Sequence, residues 1–141
     1  MIDGRSRLLL LVLIASAGCT KSDERTPVHA VKGSVFYENR PASGAVIQLH
    51  PVTLQPAGTP LPRARVQADG SFVLTTFVTG DGAPAGEYAV TVTWRQPTDH
   101  PEQEGPDLLP ARFGDPKLSG IKATVAARDN ELQPIRLSRK P

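Results

Sequence analysis

Any catalysis or metal binding by this chain would have to come from three histidines, a single cysteine and a scatter of acids and serines. His29, His50 and His100 stand far apart, none at the i, i+2 or i, i+4 spacing that brings two imidazoles onto one metal. Asp69, Asp81 and Asp129 each adjoin glycine or asparagine, where turn geometry alone places them. No Asp-rich loop supplies the six or so oxygens that calcium takes. Ser34, Ser43, Ser71 and Ser119 lie outside any Gly-x-Ser-x-Gly elbow, so none is raised as a nucleophile on a strained turn. These residues predict no catalytic site, no metal and no cofactor, and the chain is expected not to be an enzyme.

Cys19 is different because of what precedes it. Arg5 and Arg7 lead into the apolar run 8–15, which gives way to Ser16, Ala17 and Gly18. A positive flank, a short apolar stretch and small residues before a cut site predict a cleaved export signal over residues 1–18. The run is well short of the roughly 20 apolar residues that cross a bilayer as a helix. As the only cysteine, Cys19 can form no intrachain disulfide and no cysteine cluster. Two cleavages fit: between Gly18 and Cys19, or after Ala15-Ser16-Ala17, which would leave Cys19 as a free thiol.

Ser16-Ala17-Gly18-Cys19 resembles the lipobox of bacterial lipoproteins, departing from it in having Ser16 where leucine is usual. The resemblance implies a diacylglycerol on the Cys19 sulfur and cleavage just before it. Two or more acyl chains suffice for stable anchoring. Thr20 stands where many lipoproteins retained at the inner membrane have Asp, which by resemblance points to the outer membrane.

Loss of the signal removes Asp3, Arg5 and Arg7, so a net charge of +2 becomes +1 on the remaining 123 residues. That length suits one domain, and a nearly neutral chain lacks the basic footprint of a nucleic-acid binder. Residues 19–27 are polar and read as a flexible tether, with a domain over 28–139. With 14 prolines and 12 glycines spread along the chain, no segment after the signal offers three uninterrupted amphipathic turns.

Alternation takes the place of helical period. Val31, Gly33, Val35 and Tyr37 share one face of a first strand, and Ala45, Ile47 and Leu49 one face of a second. A third strand over 63–68 leads through Asp69-Gly70, read as a two-residue hairpin turn, into a fourth over 71–78 that places Phe72, Leu74 and Thr76 together. Tyr88, Val90, Val92 and Trp94 line one side of the clearest strand, 87–94. Residues 95–118, with five prolines, read as a long solvent-exposed loop. Ile121, Ala123 and Val125 alternate again, and 132–137 closes a terminal hairpin, with Pro134 confining it to an edge or bulge. Seven short strands predict an all-β sandwich.

The unit Val31-x-Gly33-x-Val35, Arg40-Pro41, Gly44-Ala45-Val46-Ile47 resembles the opening of carboxypeptidase regulatory-like, or transthyretin-like, domains; Ala68-Asp69-Gly70-Ser71-Phe72 and Ala85-Gly86-Glu87-Tyr88 are similar to its later pieces. The stretch 74–84 and Asn130-Glu131-Leu132 further resemble a group of bacterial lipoproteins that carry one such domain. The resemblance implies a seven-stranded sandwich of prealbumin type used as an accessory or structural module. It implies no hydroxyisourate hydrolysis, because the ending Leu137-Ser138-Arg139-Lys140-Pro141 lacks the Tyr-Arg-Gly-Ser motif of that enzyme. Gly33 is expected where a side chain would strike a neighbouring strand, Gly44 and Gly86 where the chain reverses, and Tyr88 where a hydroxyl ties a loop.

Two functional classes follow. One is an envelope module held to the membrane by the lipid on Cys19, whose loops 51–62 and 95–118 contact a protein or glycan. The other is a binder of small ligands or carbohydrate, with Trp94, Tyr88 and Phe77 as candidate stacking groups, although core packing is the first expectation for Trp94.

Overall fold

The computed structural model describes residues 24–141, so the signal, Gly18 and Cys19 lie outside the described residues. Among the described residues there are nine strand segments: β1 (Val31–Tyr37), β2 (Arg40–Pro41), β3 (Val46–Pro51), β4 (Arg63–Arg65), β5 (Ser71–Val73), β6 (Gly86–Thr93), β7 (Ile121–Val125), β8 (Asn130–Glu131) and β9 (Ile135–Leu137). One 3-10 turn, Ala111–Gly114, interrupts the connection from β6 to β7.

The strands form two open sheets. In one, β1 is the spine: β5 and β2 pair with it antiparallel, and β8 and β9 pair with it in parallel. The other runs β4-β3-β6-β7, antiparallel throughout. Side chains that alternate inward from both sheets meet in one core. Val31, Val35 and Phe72 come from the first sheet and Ile47, Leu49, Val90 and Val92 from the second, all essentially sealed from solvent. The chain is therefore all-β, with two sheets sharing a core in the manner of a sandwich. Their faces are the ones the alternation predicts, because a period of two fixes which side chains point together.

Gly33 is where close packing leaves no alternative. A Cβ there would lie 2.6 Å from Cζ of Phe72 on the adjacent β5. The Phe72 ring thus fills the space over β1 that any other residue would occupy.

Four expectations are corrected. The third strand is short, and the hairpin at Asp69-Gly70 is only partial: its arms are joined by the Arg63/Thr75 backbone pair and by Gln67 N donating to Ser71 O, while β4 and β5 themselves pair with different sheets. Of Asp69 and Gly70 only Gly70 has positive φ, so the turn is not the two-residue mirror-image type; it is closed by Gly70 N to Gln67 O and Gln67 N to Ser71 O. Residues 71–78 are a strand only to Val73, after which the chain wraps around the Asp81 carboxylate. The C-terminal strands make no hairpin with β7. The Asn130 carboxamide accepts from Ala126 N at 2.8 Å and donates to Ala126 O at 3.0 Å, turning the chain out of one sheet so that β8 and β9 run beside β1 in the other. Finally, 95–118 is not exposed throughout, because Leu109 and Phe113 are buried in the core.

The register sorts the connections into two ends. Pro51 lies beside Tyr88, Gly86 beside Val125, Val31 beside Asn130, and His29 bridges Ala83. Residues 24–30, 52–62, 74–85 and 126–129 therefore gather at one end. Val46 lies beside Thr93 and Val90 beside Ile121, and Val35 N donates to Gly70 O. The β1–β2 turn, residues 66–70, residues 94–120 and the C-terminal residues thus occupy the other end.

Candidate functional site

At the end away from residue 24, a cleft of about 500 Å³ opens between the outer face of the four-stranded sheet and the loop that follows β6. Its floor is made by Val46, Arg65 and Thr93, neighbours across β3, β4 and β6. Its wall is the loop, with Arg95, His100 and Glu104 facing the opening.

The loop has a built neck. Asp107 accepts from the backbone N–H of Trp94 and of Leu109, both at 2.9 Å, and Gln96 N donates to Pro106 O at 3.1 Å. Gly105 is pressed so closely on Gln96 that a Cβ would sit 2.2 Å from the Gln96 carbonyl oxygen. Beyond the neck, the Thr98 hydroxyl lies 2.7 Å from both the His100 and Gln103 carbonyls and holds the tip in a compact bend. Residues 95–107 are therefore a closed surface loop, anchored at its base by one carboxylate that composition alone did not single out.

The charged groups of the cleft are the guanidinium groups of Arg65 and Arg95 and the Glu104 carboxylate. Arg65 donates to Gly44 O at 3.2 Å, and Arg95 lies 3.8 Å from the Glu104 carboxylate, an exposed pair that contributes little to stability. Arginine forks suit carboxylate or phosphate oxygens, and Thr93 adds a hydroxyl. The cleft can thus bind polar or anionic groups.

The aromatic residues expected as ligand contacts are not brought together. Tyr88 is buried, at 1 % exposure. Its hydroxyl donates to Pro84 O at 2.7 Å and accepts from Gln55 Nε2 at 2.8 Å. It therefore ties two loops, as expected of a loop-tying hydroxyl, and presents no surface to a ligand. Burial pushes its phenol pKa up, against the opposing pull of Gln55. Trp94 is half-buried against the core, edge-on to Tyr37 with centroids 6.4 Å apart, and its neighbours Thr93 and Arg95 rather than its own ring line the cleft. Phe77 lies at the opposite end, where the Arg25 guanidinium sits 5.8 Å from its ring centroid.

Among the described residues, no three His, Cys, Asp or Glu side chains are grouped to hold a metal. His50 shares a 2.9 Å hydrogen bond with the Thr91 hydroxyl on the sheet face, and burial lowers its pKa. Asp69 is held below the usual carboxylate range by the Ser71 hydroxyl and then by the Ser71 N–H, as a turn residue.

Asp81 is the most heavily used acid. It accepts from the backbone N–H groups of Thr76, Phe77 and Val78 at 2.7, 3.0 and 2.9 Å. Desolvation raises its pKa, but these donors outweigh it and the net direction is down. Beside it, Gly82 has φ +98, and a Cβ there would fall 1.7 Å from His29 O. The Gly80-Asp81-Gly82 sequence is thus explained by folding, with the chain leaving residue 29 packed against it.

No family model matches the chain, and neither the curated proteins nor the solved structures give a significant match.

Proposed function

We propose that the chain is a lipid-anchored cell-envelope protein whose domain, a prealbumin-type sandwich of the carboxypeptidase regulatory-like kind, is a non-enzymatic module for contact with an envelope protein or glycan. The observation that carries this reading is the lone Cys19 at the end of an export-type segment. The polarity of the domain supports it: the chain enters at one end, while the pinned 95–107 loop and its cleft lie at the other, the arrangement an anchored contact module needs. By resemblance at Thr20, the outer membrane is the destination.

Metabolic labelling with an alkyne fatty acid tests it. Label is expected on the natural chain in the membrane fraction and is expected to vanish with Cys19→Ser, which moves the protein to the soluble fraction. Absence of label from both chains would make this a freely exported domain.

A second reading, a binder of carbohydrate or small ligands, draws on the arginine-lined cleft. It requires that Arg65→Ala and Arg95→Ala abolish retention on an immobilised acidic glycan while leaving the thermal midpoint in place. Unchanged retention would count against it.

A further inference from the structure

We infer that the tether end of the domain, with Val52, Leu54 and Val78 foremost, rests in the interface of the lipid bilayer. The inference extends the proposed anchoring at Cys19 and rests on it.

The first observation is exposure. Leu54 is 103 % exposed, Val52 65 % and Val78 62 %, three at one end, against Leu118 at 64 % and Leu108 at 38 % at the cleft end. Exposed apolar side chains scattered singly need no partner, so the weight falls on their gathering at the end where the chain emerges.

The second is position. Val52 and Leu54 lie on the β3–β4 connection and Val78 on the turn around Asp81, both at the end where the chain emerges. Residues 24–26, 56–59 and Phe77 border one common hollow, which joins the emerging chain to these two loops directly. The loops are also held in place. Val52 N donates to Glu87 O at 2.9 Å, Gln55 donates to the buried Tyr88 hydroxyl, and three N–H groups fix the Asp81 turn.

The third is reach. Five residue steps separate Cys19 from Glu24, at most about 18 Å of extended chain at 3.3–3.6 Å per residue. The eight residues of β6 alone span about 27 Å at 3.4 Å per residue. A tether shorter than the body it carries keeps the attached end near the lipid and the cleft end away from it. The occupant is therefore the lipid surface itself, because no other surface is constantly within that reach.

The test uses tryptophan as a depth probe in the mature protein, purified from membranes and reconstituted in phosphatidylethanolamine/phosphatidylglycerol vesicles with brominated acyl chains. Leu54→Trp and Gln103→Trp are compared with the parent, whose Trp94 emission is subtracted. The emission added at position 54 is expected to shift to the blue and to lose most of its intensity to the bromines, while that added at position 103 keeps its intensity. If the protein floats with the vesicles and position 54 is no more quenched than position 103, the inference is overturned. Equal quenching at both positions also overturns it, since the domain would then lie on its side. Protein that fails to float tells against lipid on Cys19 rather than against the docking end. A maleimide lipid is then coupled to the Cys19 thiol, and the same comparison decides the orientation.

Discussion

Asp81 and Tyr88 each fix a loop through hydrogen bonds that a single substitution would leave unmade. The Asp81 carboxylate serves three backbone donors, and Asp81→Asn is expected to cost about 1–2 kcal/mol at neutral pH, the low end because solvent still reaches the group. Its folded pKa is lowered, so its contribution is fully present above the unfolded value near 4 and is lost as pH falls through the folded value. Urea unfolding from pH 7 downward should show the natural protein and the variant converging below about pH 4; a constant gap would remove the carboxylate from the account. For Tyr88→Phe, the buried Pro84 carbonyl loses its donor and Gln55 its acceptor, which is expected to cost about 1–3 kcal/mol by the same measurement. Both roles are legible in sequence, one from aspartate between glycines and the other from tyrosine after a reversing glycine. Asp107 is not, because its partners, Trp94 and Leu109, come together only when a loop with five prolines closes.

Strand faces are local and could be read from the alternation. The inward set Val31, Val35, Ile47, Leu49, Tyr88, Val90 and Val92 follows from a period of two, as does the space over Gly33. Pairing is not local, and here reading by proximity misleads in part: Asp69-Gly70 does reverse the chain, with Gln67 bonded to Ser71 and Arg63 to Thr75, yet the strands on either side of it belong to different sheets. The segment 95–118 misleads in a second way. Its prolines hide the period, although Phe113 on the short 3-10 turn and Leu109 just ahead of it both reach the core. Phe113 is 6 % exposed, and Phe113→Ala is expected to destabilise by about 3–5 kcal/mol, the range for emptying a packed aromatic site. Thermal unfolding checks this. A change within about 0.5 kcal/mol, as found at exposed sites, would return the segment to the status of a free loop.

On the scale of the whole molecule, the fold is closed by its last strands. Asn130 N donates to Ala30 O and Leu132 N to Lys32 O, both at 2.8 Å, and Val35 through Tyr37 run in register with Ile135 through Leu137. These contacts join residues about a hundred positions apart, so the ordering entropy of nearly the entire domain is committed before they form, and such topologies fold slowly and as a unit. The β1 spine has no substitute for this parallel partner, because its other edge is already taken by β5 and β2. A chain ending at Asp129 also loses buried Leu137 and half-buried Leu132 and Ile135 from the core. It is expected to show no cooperative urea transition and the far-ultraviolet dichroism of an unfolded chain. A chain ending at Ser138 loses surface contacts: the carbonyls of Arg139 and Lys140 that Arg112 gathers, the Ser138 hydroxyl bond to Lys140 O, the Arg139 N–H bond to Glu38 and the Arg139 side chain beside Tyr37. It is expected to retain the transition with a midpoint close to the natural one. Trp94 lies edge-on to Tyr37 of the first sheet while directly following β6, an inner strand of the second. Its fluorescence should therefore change at the same urea concentration as the dichroism. If the shorter chain folded, or if the two signals separated, β8 and β9 would be an appendage and the two sheets would be independently stable, contrary to a core in which neither sheet has an inner face of its own.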